Sequence, residues 1–156
     1  MPDAKKKEIV LVLDGIRSLY NVGAMFRSAD GFGVARIYLC GITGTPEQRG
    51  LQKVALGAER SVPWRKAGAT WPLLERLKKD GYYLVGLEKC AGAVPLPDLR
   101  PRFPLALVVG NEIRGLTPAI RRRLDAVAEI PMLGIKESFN VSVACGIALY
   151  ALRQKC

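Results

Sequence analysis

The chain contains no histidine among its 156 residues. That absence argues against hydrolases built on a Ser-His or Cys-His pair, and it withholds a common zinc ligand. The four cysteines, Cys40, Cys90, Cys145 and Cys156, form no Cys-x-x-Cys pair. No metal site is therefore expected. Cys145 stands in an apolar run and reads as a small core residue rather than a nucleophile. Aromatic residues make up only 7% of the chain and no RNP-like strand motif occurs, which argues against an RRM-type stacking sheet. No apolar run reaches the ~18–20 residues that a bilayer-spanning helix needs. The start, Met1 to Lys7, is basic and polar and unlike a signal peptide, so a cytoplasmic location without membrane attachment is expected. Repeats, low-complexity tracts and linkers are also missing. The expectation is one domain over residues 1–156, with no appended RNA-binding domain.

Positive charge is what the chain has in excess. There are 24 Lys and Arg residues against 14 Asp and Glu, a formal charge of +10. Such an excess favours a polyanionic partner, because each neutralised phosphate releases counterions. A basic surface kept only for solubility is the alternative at this point. With 49% apolar residues the chain can bury a full core.

Strand-like and helix-like segments alternate, which predicts an α/β fold with a mainly parallel sheet and helices on both faces. Strands are expected at Glu8–Leu13, Arg36–Cys40, Tyr82–Leu87, Leu105–Val109 and Val127–Ile130. Helices are expected at Asn21–Gly31, where Val22, Phe26 and Ala29 share one face, and at Thr70–Lys79 behind a capping Thr70. Thr45-Pro46 and Thr117-Pro118 each read as an N-cap followed by proline at the first helical position. They open helices over Glu47–Leu56 and to about Leu124. A proline-rich connector runs from Val94 to Pro104. The last helix, Asn140–Arg153, carries no charge from Val141 to Leu152. A helix apolar all round must be covered on several faces, either by a deep core or, as favoured here, by a second copy of the chain.

Three segments stand out. They are Asn21-Val22-Gly23-Ala24-Met25-Phe26-Arg27-Ser28-Ala29 with Phe32-Gly33, then Gly110-Asn111-Glu112-Ile113-Arg114-Gly115-Leu116, then Ile130-Pro131-Met132 with Ser138-Phe139-Asn140-Val141-Ser142-Val143-Ala144. Singly, each has a plain reading: Asn21 and Asn140 as helix caps, Arg27 as a surface charge, Glu112 as a loop carboxylate. Gly110 to Gly115 is not a Walker A loop, because Leu116-Thr117 replaces Lys-Ser/Thr. Gly31-Phe32-Gly33 lacks the third glycine of a dinucleotide fingerprint.

Together and in this order, the segments resemble the motifs of the SpoU/TrmH-like family of the SPOUT RNA methyltransferase superfamily, over essentially the whole chain. The resemblance implies an α/β sheet whose C-terminal segment threads a loop as a trefoil knot, an exception to the un-knotted rule. It also implies a homodimer, and S-adenosylmethionine as cofactor. By the same match the cofactor would lie among Leu87, Glu88, Val109, Gly110, Asn111, Ile130, Met132, Leu133, Ser138, Phe139 and Asn140. An apolar slot from Ile130, Met132, Leu133 and Phe139 suits adenine, and Gly110 permits close main-chain approach.

The catalytic group implied by the resemblance is Arg27, Asn21, Glu112, Ser138 and Asn140, acting on a ribose 2′-hydroxyl. Methyl transfer is an in-line displacement and needs alignment above all. Arg27 is read as gripping the target phosphate and stabilising the developing alkoxide, since a guanidinium of pKa above ~12 stays protonated. Arg17, Arg27, Arg114 and Lys136 are the first candidates for RNA contact, with Arg60, Arg65, Lys66 and Arg121–Arg123 as a wider basic track. Phosphate contacts position without specifying. The RNA is expected to be tRNA somewhat ahead of rRNA, on a chain close to a bare catalytic core. The rival readings are a catalytically inactive RNA-binding or assembly module of the same fold, and a SPOUT enzyme that methylates a base.

Overall fold

A computed structural model describes residues 5–156. The basic start at Met1–Lys7 lies partly outside these residues. In chain order the strands are β1 (Ile9–Asp14), β2 (Arg36–Cys40), β3 (Trp64–Ala67), β4 (Tyr83–Leu87), β5 (Val94–Pro95), β6 (Leu105–Val109) and β7 (Ala126–Glu129). The helices are α1 (Leu19–Gly31), α2 (Arg49–Ala55), α3 (Ala58–Ser61), α4 (Thr70–Lys79), α5 (Pro118–Arg121) and α6 (Val141–Arg153). The strands form one sheet in the order β3-β2-β1-β6-β4-β7-β5, and every neighbouring pair is parallel. The expected α/β class is the observed one.

The central strands explain their own sequences. β6 is buried along its whole length, as is β1 except at Asp14, and both are unbroken apolar runs because helices cover both faces. On one face Ile9, Leu11 and Leu13 meet Val22, Phe26 and Ala29 of α1 and Cys145, Leu149 and Leu152 of α6. On the other, Val10 and Val12 meet Leu73, Leu74 and Leu77 of α4 and Ile120 of α5. Each fully buried Leu or Phe contributes roughly 1.5–3 kcal/mol.

Several local expectations fail for identifiable reasons. α2 begins at Arg49, not Glu47, because Gln48 closes a turn: its N–H donates to the Thr45 carbonyl at 3.0 Å, and its Oε1 accepts from the Thr45 N–H at 2.9 Å. Thr70 is the first residue of α4 rather than its cap, and its hydroxyl donates to Asp14 Oδ1 at 2.5 Å. Ser18, not Asn21, caps α1 by accepting from the Asn21 N–H, so Asn21 is buried inside the helix. α5 ends at Arg121, short of Leu124, and β7 stops at Glu129, leaving Ile130 free of the ladder. The edge strands β3 and β5 and the one-turn α3 were not expected. Arg65 and Lys66 give β3 no apolar run, and β5 is two residues of the proline-rich connector.

The caps at Thr117 and Asn140 are as expected: Thr117 Oγ1 accepts from the Ile120 N–H, and Asn140 Oδ1 from those of Ser142 and Val143. α6 is held at its far end by Arg153, whose guanidinium donates to the carbonyls of Phe32, Gly33 and Lys7. The helix buries Cys145, Ala148, Leu149 and Leu152 but leaves Val143, Ile147 and Tyr150 37–57% exposed. No helix among the described residues is long and apolar enough to cross a membrane.

Candidate active site

In a parallel sheet the loops that can build a site gather at the carboxyl ends of the strands. Here the loops after β4, β6 and β7, with the first turns of α6, enclose a cleft of about 240 Å³. Leu87, Val109, Ile130, Met132 and Phe139 supply apolar wall, and Glu88, Asn111, Glu112, Glu137 and Ser138 polar wall.

Glycines let the loop after β6 fold this tightly. A Cβ on Gly110 would lie 2.6 Å from the Gly115 carbonyl carbon, so two stretches of backbone touch there. Gly115 has φ +65°, in the left-handed region, and a Cβ on it would lie 2.3 Å from Glu88 Oε2. The same Glu88 oxygen accepts from the Leu116 N–H at 2.6 Å. Asn111 closes the turn from inside, its Oδ1 accepting from the N–H groups of Ile113 and Arg114 and its Nδ2 donating to the Gly15 carbonyl at 2.8 Å.

At the cleft, Glu112 is clasped by a loop 95 residues away in sequence. Its carboxylate accepts from the backbone N–H groups of Arg17 and Ser18 at 3.1 Å each and, weakly, from Asn21 Nδ2 at 3.4 Å. Partial burial acts to raise its pKa, but hydrogen bonds from Ser18, its own backbone N–H, Arg17 and Asn21 outweigh that and hold it below the usual carboxylate value. Asn21 Oδ1 in turn accepts from Asn140 Nδ2 at 3.2 Å, and Asn140 Oδ1 accepts from the Ser142 hydroxyl at 2.5 Å. One residue from each sequence segment thus enters a single hydrogen-bonded chain, Asn140 to Asn21 to Glu112.

Of the residues expected at a cofactor, Leu87, Glu88, Val109, Gly110, Asn111, Ile130, Met132, Ser138 and Phe139 line this cleft. Leu133 does not: it is 99% exposed. Asn140 stands outside the lining and hydrogen-bonds to Asn21. Arg27 is likewise elsewhere, on the exposed side of α1 in a hollow with Tyr20, Phe32 and Val54. Six residues separate it from Asn21, which at ~100° per residue turns it well away from the buried side. Arg17, Arg114 and Lys136 are exposed on the loops around the cleft. Sequence reading did not assign Lys89, Ile113, Gly115, Glu137, Val141 or Ala144 to the cleft wall. Val141 and Ala144 carried a usable signal, their i, i+3 spacing along one helix face.

A family model described as the SpoU rRNA Methylase family matches residues 8–150. The chain belongs to that family. As a SpoU methylase family member it is 34% identical over 160 residues to the 23S rRNA (guanosine-2′-O-)-methyltransferase RlmB of Coxiella burnetii, covering 97% of this chain and 61% of the relative. The AdoMet-bound rRNA methyltransferase of Sinorhizobium meliloti superposes with a TM-score of 0.88 at 29% identity, over 94% of this chain and 56% of that one. The TrmH/SpoU tRNA modifying enzyme of A. aeolicus does so with a TM-score of 0.86 at 28% identity, over 97% and 76%. This SpoU methylase chain thus spans about three-fifths of the curated relatives it matches, 61% in each of two cases.

Proposed function

We propose that this chain is the catalytic domain of an S-adenosylmethionine-dependent RNA 2′-O-ribose methyltransferase. The observation that carries the reading is the Asn140–Asn21–Glu112 chain beside the cleft, which joins the three segments that resemble the family's motifs. When bound, the cofactor supplies an activated methyl group. The cleft suits it physically. Apolar Leu87, Ile130, Met132 and Phe139 offer a slot for adenine. Glu88, Glu112 and Glu137 face Lys89 alone among the charged wall residues, so a chain of charge +10 turns a locally acidic wall towards a cationic sulfonium. Glu112 and Ser138 are the candidates to orient the ribose. The trefoil knot implied by the resemblance belongs to the same proposal.

Arg27 has no place in the cleft wall of its own chain, and its neighbour Tyr20 also borders a groove between α1 and α6 lined by Val143, Ile147 and Tyr150. This apolar face is proposed as the homodimer contact, with Arg27 at its rim. The cation would then grip the RNA phosphate where two copies meet. As to the RNA, the expected preference for tRNA stands beside a curated relative named for guanosine in 23S rRNA, so rRNA is the first substrate to try and tRNA the second.

The test is incubation with labelled S-adenosylmethionine and each RNA, followed by nucleoside mass spectrometry. A 2′-O-methyl nucleoside is expected. A base-methylated nucleoside would shift the reading to the base-modifying branch, and cofactor binding without transfer to any RNA would favour the inactive module.

A further inference from the structure

Away from the cleft, on the α4 side of the sheet, a second hollow of about 550 Å³ lies at the free edge of the sheet. Its floor is Tyr38 and Leu73, its rim Arg65 and Lys66 of β3 and Arg76 of α4, and no acidic side chain lines it. Among the described residues the guanidinium groups of Arg65 and Arg76 make no ion pair or hydrogen bond, whereas Arg123, one helix away, is engaged by Glu75. Lys66 differs: its Nζ donates to the carbonyls of Gly41 and Thr43 at 2.7 Å each, which fixes the ammonium and leaves one N–H to offer.

The hollow and the cleft are ends of one connected edge. The Thr43 that holds Lys66 accepts from the Ile16 N–H at 3.0 Å through its own Oγ1, and the next residue, Arg17, donates its N–H to Glu112 in the cleft wall. The hollow includes Ala67, the last residue of β3, and Gly68 and Ala69 just beyond it. It therefore opens towards the sheet edge that carries the cleft. Three strand spacings separate β3 from β6, roughly 14 Å at ~4.8 Å per strand. A stacked strand advancing ~3.4 Å per nucleotide covers that span in about four nucleotides.

We propose that the Arg65–Lys66–Arg76 hollow is a phosphate-binding surface for the RNA flanking the target nucleotide, reached along the edge past Arg17. It rests on the reading of the chain as an RNA-modifying enzyme. Unpaired, exposed guanidinium groups release phosphate counterions without any cost of breaking protein ion pairs, and contacts of this kind position RNA without reading its sequence.

The experiment is fluorescence anisotropy with a fluorescein-labelled single-stranded RNA of mixed sequence, over a potassium chloride series. The Arg65→Glu/Arg76→Glu and Arg65→Gln/Arg76→Gln variants should bind about tenfold or more weakly, and their salt slope should fall by at least about 1.4 on a single strand. A Lys6→Glu/Arg100→Glu variant, with the same charge change as the first pair but placed at the amino ends of the strands, should stay near wild type. S-adenosylhomocysteine affinity by calorimetry should be unchanged in all of them. Wild-type RNA affinity and slope in both Arg65/Arg76 variants would overturn the proposal, including in favour of an acidic protein segment as occupant. Equal losses in the Lys6/Arg100 variant would overturn it in favour of net charge alone. Absence of RNA binding by the wild-type chain would instead overturn the functional reading on which it rests.

Discussion

Asn140, the cap of α6, donates a 3.2 Å hydrogen bond to Asn21, a buried residue of α1 that lies 119 positions earlier. Asn21 spends its amide N–H on Glu112 and its carbonyl oxygen on Asn140. An Asn is suited to this place because it both donates and accepts, whereas Asp accepts only and Leu does neither.

Asn21→Ala should therefore unfold at lower temperature, by about 0.5–1.5 kcal/mol for each part-buried hydrogen bond lost. Turnover should fall further than the lost stability explains, because Glu112 and Asn140 lose their common support. Thermal melts and methyl-transfer rates on the same samples check both parts; a variant with normal turnover after correction for folded fraction rules out the positioning role.

The lowered pKa of Glu112 sets the sign of a pH effect. A carboxylate held below its unfolded value of 4.5 contributes stability that is fully present above that pH. The contribution is lost as pH falls through the folded value. The Tm difference between wild type and Glu112→Gln should hold steady from neutrality to about pH 5 and shrink towards strong acid. Parallel melting curves across the whole acid range would contradict the hydrogen-bonded carboxylate.

Gly115→Ala should destabilise by about 1–3 kcal/mol, since it meets both a left-handed backbone and the Glu88 carboxylate. S-adenosylhomocysteine binding, measured by calorimetry, should weaken with it. Adding Glu88→Ala removes the steric part while leaving the backbone part, so the double variant should be more stable than the sum of the two single changes predicts. Simple additivity would show that the contact does not matter.

Arg27→Ala should abolish methyl transfer and leave cofactor affinity nearly intact, because the side chain stands outside the cleft. Val143→Asp with Ile147→Asp should convert a dimer to monomer in sedimentation and depress transfer as well. Wild-type turnover in Arg27→Ala, or an active monomer in the second case, would each sink the corresponding assignment.

Burial pushes the thiols of Cys40 and Cys145 up to about 11 and about 12, so neither has useful thiolate at neutral pH. Iodoacetamide should label exposed Cys156 first and spare both buried cysteines until the chain unfolds, as peptide mass spectrometry can record. Early labelling of Cys145 would contradict the packing of α6.

The chain order of apolar and polar residues determined a good deal alone. Unbroken runs such as Leu105–Val109 specify central parallel strands, since only a strand covered on both faces wants every side chain apolar. Asn140 and Thr117 announce their helices because a cap acts within three residues of itself. Resemblance to known motifs picked out ten residues that line the cleft, Glu112 among them. Tertiary structure decided what depends on distant partners. β3 exists because β2 pairs with it, not because Trp64–Ala67 favours a strand, and Thr70 serves Asp14 rather than its own helix. Leu133, apolar yet 99% exposed, lies outside the cleft wall of its own chain, and so does Arg27 on the exposed side of α1, for the same reason. Residue type records which chemistry a side chain offers; the direction it points is set by packing between elements far apart in sequence.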